Sequence, residues 1–366
     1  MDAVRELNDA GVSIWLDDLS RPRIRSGELK HLVGLGLGGV TTNPTIFATA
    51  FAEGADYRDR LARLIEAGAS VTTAAVTLMA DDLRAACDLL RPVHDRTGGL
   101  DGWVSIEVSP TAAHDARGTI AEAHHLRELV GRPNVFVKIP ATTAGIDAFE
   151  ACIAAGQSIN VTLIFGLDRY RQVIDAYRTG LQRALAAGLQ LRSIRSVASF
   201  FVSRVDVEVD RRLASATGDG TADLAGRAAI ANARLAYELF QQSLRDPRWI
   251  ELAEAGAHVQ RPLWASTGVK DPSLRDTRYV ETLVAPDTVS TMPQKTLDAV
   301  RDHGVIRPGA LEDGIADAHD VAAALQEVGI SLEDVATTLE AAGIRTFSES
   351  WDRLIATAGR RDGAAG

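Results

Sequence analysis

The sequence predicts an α/β fold, a (β/α)8 barrel of the TIM type carrying additional helices, and three observations lead there. Eight short apolar segments of strand length recur along the chain. Longer stretches with apolar residues at three- and four-residue spacing lie between them, as in LDRYRQVIDAYRTGLQRALAAG after the fifth segment. Strand and helix therefore alternate, which implies a parallel sheet, and eight units is the number that closes a barrel. The rival is an open doubly wound sheet, but no G-x-G-x-x-G or P-loop pattern follows a strand.

In order, the strand candidates are 12–17 (VSIWLD), 39–43 (GVTTN), 103–108 (WVSIEV), 135–140 (VFVKIP), 158–165 (SINVTLIF), 196–202 (SVASFFV), 262–267 (PLWAST) and 288–292 (TVSTM). Gly, Pro and Asn punctuate the junctions, as in GRPN before Val135 and AAGQ before Ser158. GLGLGG at 34–39 precedes a strand, so it reads as a helix end and turn and not as a phosphate loop. Two stretches exceed a minimal barrel: 45–102, read as two helices, and 203–261, with a long Ala-rich helical pattern near 221–245. After the eighth strand and a helix at 293–303, the segment 311–358 reads as extra helices. The expected organisation is a barrel domain over 1–310, helices packed on it over 311–358, and a disordered tail over 359–366. The extra helices serve either self-association or a cover over the site, two uses the pattern leaves open.

With 46% hydrophobic and 24% charged residues, the 366-residue chain has the profile of a soluble globular protein. No apolar run of about 18 residues is present, which excludes a membrane-spanning helix. MDAVRELNDAG at the start has no basic segment leading into an apolar one, so no secretory signal is expected. Cys87 and Cys152 lie far apart without metal-ligand spacing and read as reduced structural thiols, which fits a cytoplasmic address. A net charge of −10 argues against a nucleic-acid surface yet leaves room for a small anionic substrate. Only Lys30, Lys138, Lys270 and Lys295 offer a side-chain primary amine.

Barrel strands are covered on both sides and should be apolar nearly throughout. Several of these break that rule on one face only. Side chains alternate with period two, which sets Ser13, Trp15 and Asp17 against Ile14 and Leu16, and Ser105 and Glu107 against Val104, Ile106 and Val108. It likewise sets Phe136 and Lys138 against Val137 and Ile139, and Asn160 and Thr162 against Ile159, Val161 and Leu163. Ser199 and Phe201 oppose Ala198, Phe200 and Val202. With the polar faces turned to the barrel axis, two carboxylates, an amine, an amide and several hydroxyls converge near the C-terminal strand ends, where barrel enzymes hold their sites. Ser13 or Ser105 alone reads equally well as a structural polar group. The whole set does not, because burying several ionisable groups costs several kcal/mol, roughly, even after partial pairing.

Lys138 sits between Val137 and Ile139 and precedes Pro140, poor company for a solvated charge. An amine withdrawn from water is more readily the neutral nucleophile that condenses with a carbonyl. The resulting imine is an electron sink for breaking the adjacent carbon–carbon bond. A lysine merely salt-bridged to Asp17 or Glu107 is the alternative. No histidine falls on an inner face, so a metal-dependent aldolase lacks its ligands; His31, His114, His124, His125 and His258 read as surface groups.

TTNPT at 41–45, SIEV at 105–108, FVKIPAT at 136–142, INVTLIF at 159–165, ASFFVSRVD at 198–206 and WASTGVK at 264–270 resemble the signature segments of transaldolases, in the family's order. The resemblance implies a class I, metal-free and cofactor-free enzyme of the pentose phosphate pathway. Such an enzyme transfers a dihydroxyacetone unit from a ketose phosphate to an aldose phosphate through a Schiff base on Lys138. It implies that Asp17 exchanges a proton with the donor's C4 hydroxyl, with Asp18 a weaker rival on the opposite face. Glu107 and Thr162 position a water for imine formation and hydrolysis. Asn43, Asn160 and Ser199, with Thr41 and Ser105 close by, hydrogen-bond the dihydroxyacetone portion, and Phe201 belongs to the same site. Arg204 binds phosphate. Where some members carry an arginine on the seventh strand this chain has Ser266 and then Lys270, which supplies the second charge. Fructose 6-phosphate aldolases are the enzyme alternative; they are shorter and carry glutamine in place of Glu107. A barrel that has lost catalysis and serves as a scaffold has no need of this residue set.

Overall fold

In the computed structural model, which describes residues 3–215 and 221–360, all eight segments are strands and they close in chain order into a barrel. β1 (Val12–Leu16), β2 (Gly39–Val40), β3 (Trp103–Glu107), β4 (Val135–Pro140), β5 (Ile159–Ile164), β6 (Ser196–Phe201), β7 (Arg261–Ala265) and β8 (Thr288–Met292) are the strands. Every neighbouring pair is parallel. The expected doubly wound rival is thereby excluded.

The period-two alternation sorts side chains into two cores. Ile14, Leu16, Val104, Ile106, Val137, Ile139, Ile159, Val161, Ala198 and Phe200 pack outward against the helices. Trp15, Trp103, Phe136, Val197, Leu263 and Val289 fill the barrel interior. There the Trp103 and Phe136 rings stack with centroids 4.1 Å apart, an arrangement worth about 0.5–1.5 kcal/mol beyond area burial. Gly39 is dictated by the same plug: a Cβ there would lie 2.6 Å from the Trp15 ring. Asp101 closes the N-terminal end, accepting hydrogen bonds from Ser13 Oγ (2.7 Å), Trp15 Nε1 (3.1 Å) and Arg261 Nη2 (3.2 Å). Ser13 therefore shares a face with Asp17 but sits at the opposite end of the barrel, where it is structural.

Three expectations need correction. β2 stops at Val40 and not at Asn43, because Asn43 is the N-cap of the helix Pro44–Glu53, its side chain accepting from Ile46 N. Between β2 and β3 lie three helices, Pro44–Glu53, Ala55–Glu66 and Val71–Arg96, and not two. Extended Gly54 (φ −95°, ψ 105°) separates the first two, and the N-cap Ser70 opens the third. Leu163 does not share the outward face of Val161. Its backbone is left-handed (φ 60°), the β5–β6 register shifts between Val161 and Ile164, and its side chain turns toward the C-terminal helices. A bulge of this kind re-aims a side chain at a strand end.

GLGLGG is a helix end and turn: Glu28–Gly34 is helical, Gly36 has φ 108°, and β2 follows. The C-terminal segment forms the helices Ile315–Glu327 and Leu332–Gly359. Of the tail expected to be disordered, residues 361–366 lie outside the described residues. Among the described residues no helix is long and apolar enough to cross a membrane. Cys87 and Cys152 are buried and free, and burial pushes the Cys152 thiol up to about 12.

Candidate active site

At the C-terminal end of the strands a cavity of about 310 Å³ opens, within the range that holds small ligands. Asp17, Thr41, Asn43, Glu107, Lys138, Thr162, Ser199, Phe201, Arg204, Ser266 and Lys270 all line it. Two of the residues expected beside the dihydroxyacetone portion do not. Ser105 and Asn160 lie directly behind the wall in a chain of hydrogen bonds: Ser199 Oγ donates to Asn160 Oδ1 (2.7 Å), and Asn160 Nδ2 donates to Ser105 Oγ (3.2 Å).

The TTNP segment shows how local sequence builds the wall. Thr41 Oγ1 lies 2.7 Å from both Asp17 Oδ1, to which it donates, and Thr291 Oγ1. Thr42 Oγ1 donates to the Ser105 carbonyl (2.7 Å), tying the β2 exit to β3. Asn43 Oδ1 caps the following helix at 3.1 Å, and its Nδ2 has no protein acceptor among the described residues. Pro44 occupies the first helical turn, where a missing N–H is harmless.

Parallel pairing sets Lys138 beside Glu107 on β3 and Asn160 on β5. Lys138 Nζ lies 3.5 Å from Glu107 Oε2 and 3.4 Å from the Thr42 carbonyl oxygen. The amine is thus both paired with a carboxylate and turned into the cavity. Lys138 is 7% exposed and Glu107 6%, so both ions are nearly withdrawn from water. Burial raises the Glu107 carboxyl above the usual range, against the opposing pull of Lys138, and the charge on Asp17 adds to the rise. Burial likewise raises Asp17, with Lys138 and the Thr41 hydrogen bond pulling the other way. Two carboxyls able to exchange protons nearer neutrality flank one amine, the pattern of an acid–base site. Thr162 Oγ1, on the same wall, is buried without a hydrogen-bond partner. Asp18 turns away, its carboxylate 2.9 Å from Arg23.

At the outer part of the cavity the Arg204 guanidinium lies 5.3 Å over the Phe201 ring. It makes no ion pair among the described residues, and burial lowers its pKa while Asp17 opposes the fall. Such a half-buried, unpaired guanidinium is apt for a phosphate. Lys270 is exposed at the rim. Ser266 has a left-handed backbone (φ 56°) and a hydroxyl 2.9 Å from that of Ser203. Among the described residues no group of three or more His, Cys, Asp or Glu is arranged to hold a metal ion.

Sequence reasoning missed Thr291 and the roof. Thr291 alternates with inward Val289, so the period-two argument applied to TVSTM was the signal available. The roof is the helix Leu332–Gly359, which brings Gly343, Thr346, Phe347 and Ser350 to the cavity. Of the two uses left open for the C-terminal helices, a cover over the site is present in the fold.

Residues 14–358 match the family described as Transaldolase/Fructose-6-phosphate aldolase. The chain is 53% identical to Transaldolase 1 of Streptomyces avermitilis, over 100% of this chain and 98% of the relative. It is 53% identical to Transaldolase 1 of Streptomyces coelicolor over 97% and 93% of the two chains, and 52% identical to the transaldolase of Thermobifida fusca over 96% of each. With an eight-stranded parallel barrel, a buried lysine between two carboxyls and this match along nearly its whole length, the chain belongs to the transaldolase/fructose-6-phosphate aldolase family.

Proposed function

We propose that the chain is a transaldolase of the pentose phosphate pathway, acting in the cytoplasm. It moves a dihydroxyacetone unit from sedoheptulose 7-phosphate or fructose 6-phosphate to glyceraldehyde 3-phosphate or erythrose 4-phosphate. The observation that carries the reading is Lys138 Nζ, 3.5 Å from the Glu107 carboxylate, in one cavity with Asp17 and an unpaired Arg204. Matching relatives named transaldolase over nearly the whole chain support it.

The Lys138 amine attacks the ketose C2 carbonyl, and loss of water gives the iminium. Glu107 with Thr162 holds the water and relays its protons; the unpartnered Thr162 hydroxyl suits that task. Asp17 takes the C4 hydroxyl proton as the C3–C4 bond breaks, and the electron pair flows into the iminium nitrogen. The aldose phosphate departs and the enamine remains on Lys138. An acceptor aldehyde then runs the step in reverse, Asp17 returning its proton to the new hydroxyl. Asn43 and Ser199 hold the dihydroxyacetone hydroxyls, with Thr41 fixing Asp17 and with Asn160 and Ser105 orienting Ser199 from behind. Arg204 binds the phosphate and Lys270, beside Ser266, adds a second charge at the rim. Phe201 supports Arg204. The imine replaces a metal as electron sink. The same reading divides the chain into a catalytic barrel, 1–310, and a helical cover, 311–358.

The test is release of glyceraldehyde 3-phosphate from fructose 6-phosphate, with and without erythrose 4-phosphate, in chelator. A transaldolase releases it in step with the acceptor supplied and is indifferent to chelation. Equal release without acceptor means a lyase, and a rate lost to chelator and restored by zinc or magnesium overturns the mechanism.

A further inference from the structure

The terminal helix Leu332–Gly359 crosses the open end of the barrel as a strap, and its anchors lie on opposite sides. At its start Glu333 accepts from the Leu167 N–H (2.8 Å), and Glu340 takes two hydrogen bonds from Arg169, each 3.1 Å. Asp334 pairs with Arg212 of the helix Ser203–Leu213, the helix that carries Arg204. At its middle, Gly343 lets the backbone come down on the barrel: a Cβ there would lie 3.3 Å from Leu163 Cδ2 and 3.5 Å from the Phe165 ring. The left-handed turn at Leu163 thus has a use, aiming an apolar side chain at the strap. Beyond, Ser350 Oγ accepts from Thr45 Oγ1 (2.9 Å), two residues after Asn43. The strap therefore spans from the Arg204 side of the cavity to the Asn43 side.

Gly343, Thr346, Phe347 and Ser350 follow the i, i+3, i+4, i+7 spacing of one helix face, and that face is the cavity roof. The hydroxyls along this helix divide in two. Thr337, Thr338, Ser348 and Thr357 each donate to the carbonyl four residues back, as hydroxyls within helices commonly do. Thr346 and Ser350 do not; among the described residues neither donates a hydrogen bond to the protein, Ser350 being 3% exposed and Thr346 open to solvent at the mouth of the cavity. The two hydroxyls whose protons are left uncommitted are the two over the cavity.

We propose that Thr346 and Ser350 are specificity-determining residues that hydrogen-bond the sugar hydroxyls beyond the three carbons held at Lys138. This rests on the transaldolase reading, in which the aldose phosphate half of the donor and the incoming acceptor occupy one place, between Lys138 and Arg204. A polyol chain there presents hydroxyls to a roof with two free donors, whereas a simple aldehyde does not. The strap thereby favours hydroxylated aldose phosphates as acceptors.

The experiment compares wild type with Thr346→Val and Ser350→Ala. Loss of a neutral hydrogen bond predicts that KM for fructose 6-phosphate and for erythrose 4-phosphate rises about three- to tenfold per hydroxyl. Borohydride trapping of free dihydroxyacetone on Lys138, which lacks the distal half, keeps its wild-type rate, and Thr346→Ser restores KM. Unchanged KM values in both variants overturn the proposal while wild-type transfer upholds the enzyme reading. An equal fall in dihydroxyacetone trapping also overturns it, because the hydroxyls then act on the barrel and not on the sugar. Absence of transfer by the wild type sinks the enzyme reading and this one with it.

Discussion

Replacing Arg204 with alanine removes the charge to which the proposed mechanism assigns the substrate's phosphate. Two unit charges about 4 Å apart attract by about 4 kcal/mol at an effective dielectric near 20, the value suited to a half-buried pair. Little of that is lost to rearrangement, because Arg204 already stands over Phe201 at 5.3 Å and has no carboxylate to leave. Allowing for the water that the phosphate gives up, the expected loss is about 2–4 kcal/mol, or about 30- to 900-fold in kcat/KM. Lys270 is exposed, so Lys270→Ala should cost only about fivefold or less, and salt should erase most of it. The assay is kcat/KM on fructose 6-phosphate and on unphosphorylated fructose, at low and high ionic strength. Arg204→Ala should matter only for the phosphorylated sugar. Equal losses on both sugars would mean that Arg204 shapes the barrel and does not read phosphate.

Glu107→Gln should slow imine formation by about 10²–10⁴-fold while sparing cleavage, and Asp17→Asn should do the reverse, letting imine accumulate. Single-turnover kinetics separates the steps, and a stall at the same step in both variants contradicts the division of labour. In the proposed mechanism Asp17 must be ionised to accept the C4 proton, so activity should be present above its pKa and lost as pH falls through it. Because burial raises that pKa above that of an ordinary aspartate, the acid limb of the kcat/KM profile should lie above the ordinary carboxylate range; a limb at or below it refutes the assignment. Away from the site, Asp82 accepts from Arg21 Nε and Tyr57 OH at 2.7 Å each, with the Arg21 and Asp82 side chains 11% and 4% exposed. Asp82→Ala should destabilise the fold by about 3–5 kcal/mol in denaturant titration, and a loss below about 1 kcal/mol would mean the pair is better solvated than its burial implies.

The inner face was legible because period two is a rigid consequence of strand geometry. Asp17, Glu107, Lys138, Thr162 and Ser199 each fell where parity put them, and Thr291 was available to the same argument. Parity fixes a face but not a depth, which is why Ser13 landed in the Asp101 network at the closed end. It also gives no order of layers, so Asn160 and Ser105 stand behind Ser199 and outside the cavity wall. Where the backbone turns left-handed, at Leu163 and Ser266, alternation fails outright, and neither residue is a glycine or asparagine that would have announced it. The roof was beyond reach for a different reason. A helical pattern at 311–358 says which face is apolar, but the direction in which the helix crosses the barrel depends on contacts such as Gly343 against Leu163, distant in sequence and local in neither element.

The central claim is that Lys138 alone carries the substrate carbon, and borohydride trapping tests it most directly. Reduction in the presence of fructose 6-phosphate, followed by peptide mass mapping, should find a three-carbon adduct on the peptide containing Lys138 and none after Lys138→Ala. An adduct on Lys30, Lys270 or Lys295 in its place, or turnover that proceeds with no trapped adduct, would contradict the account.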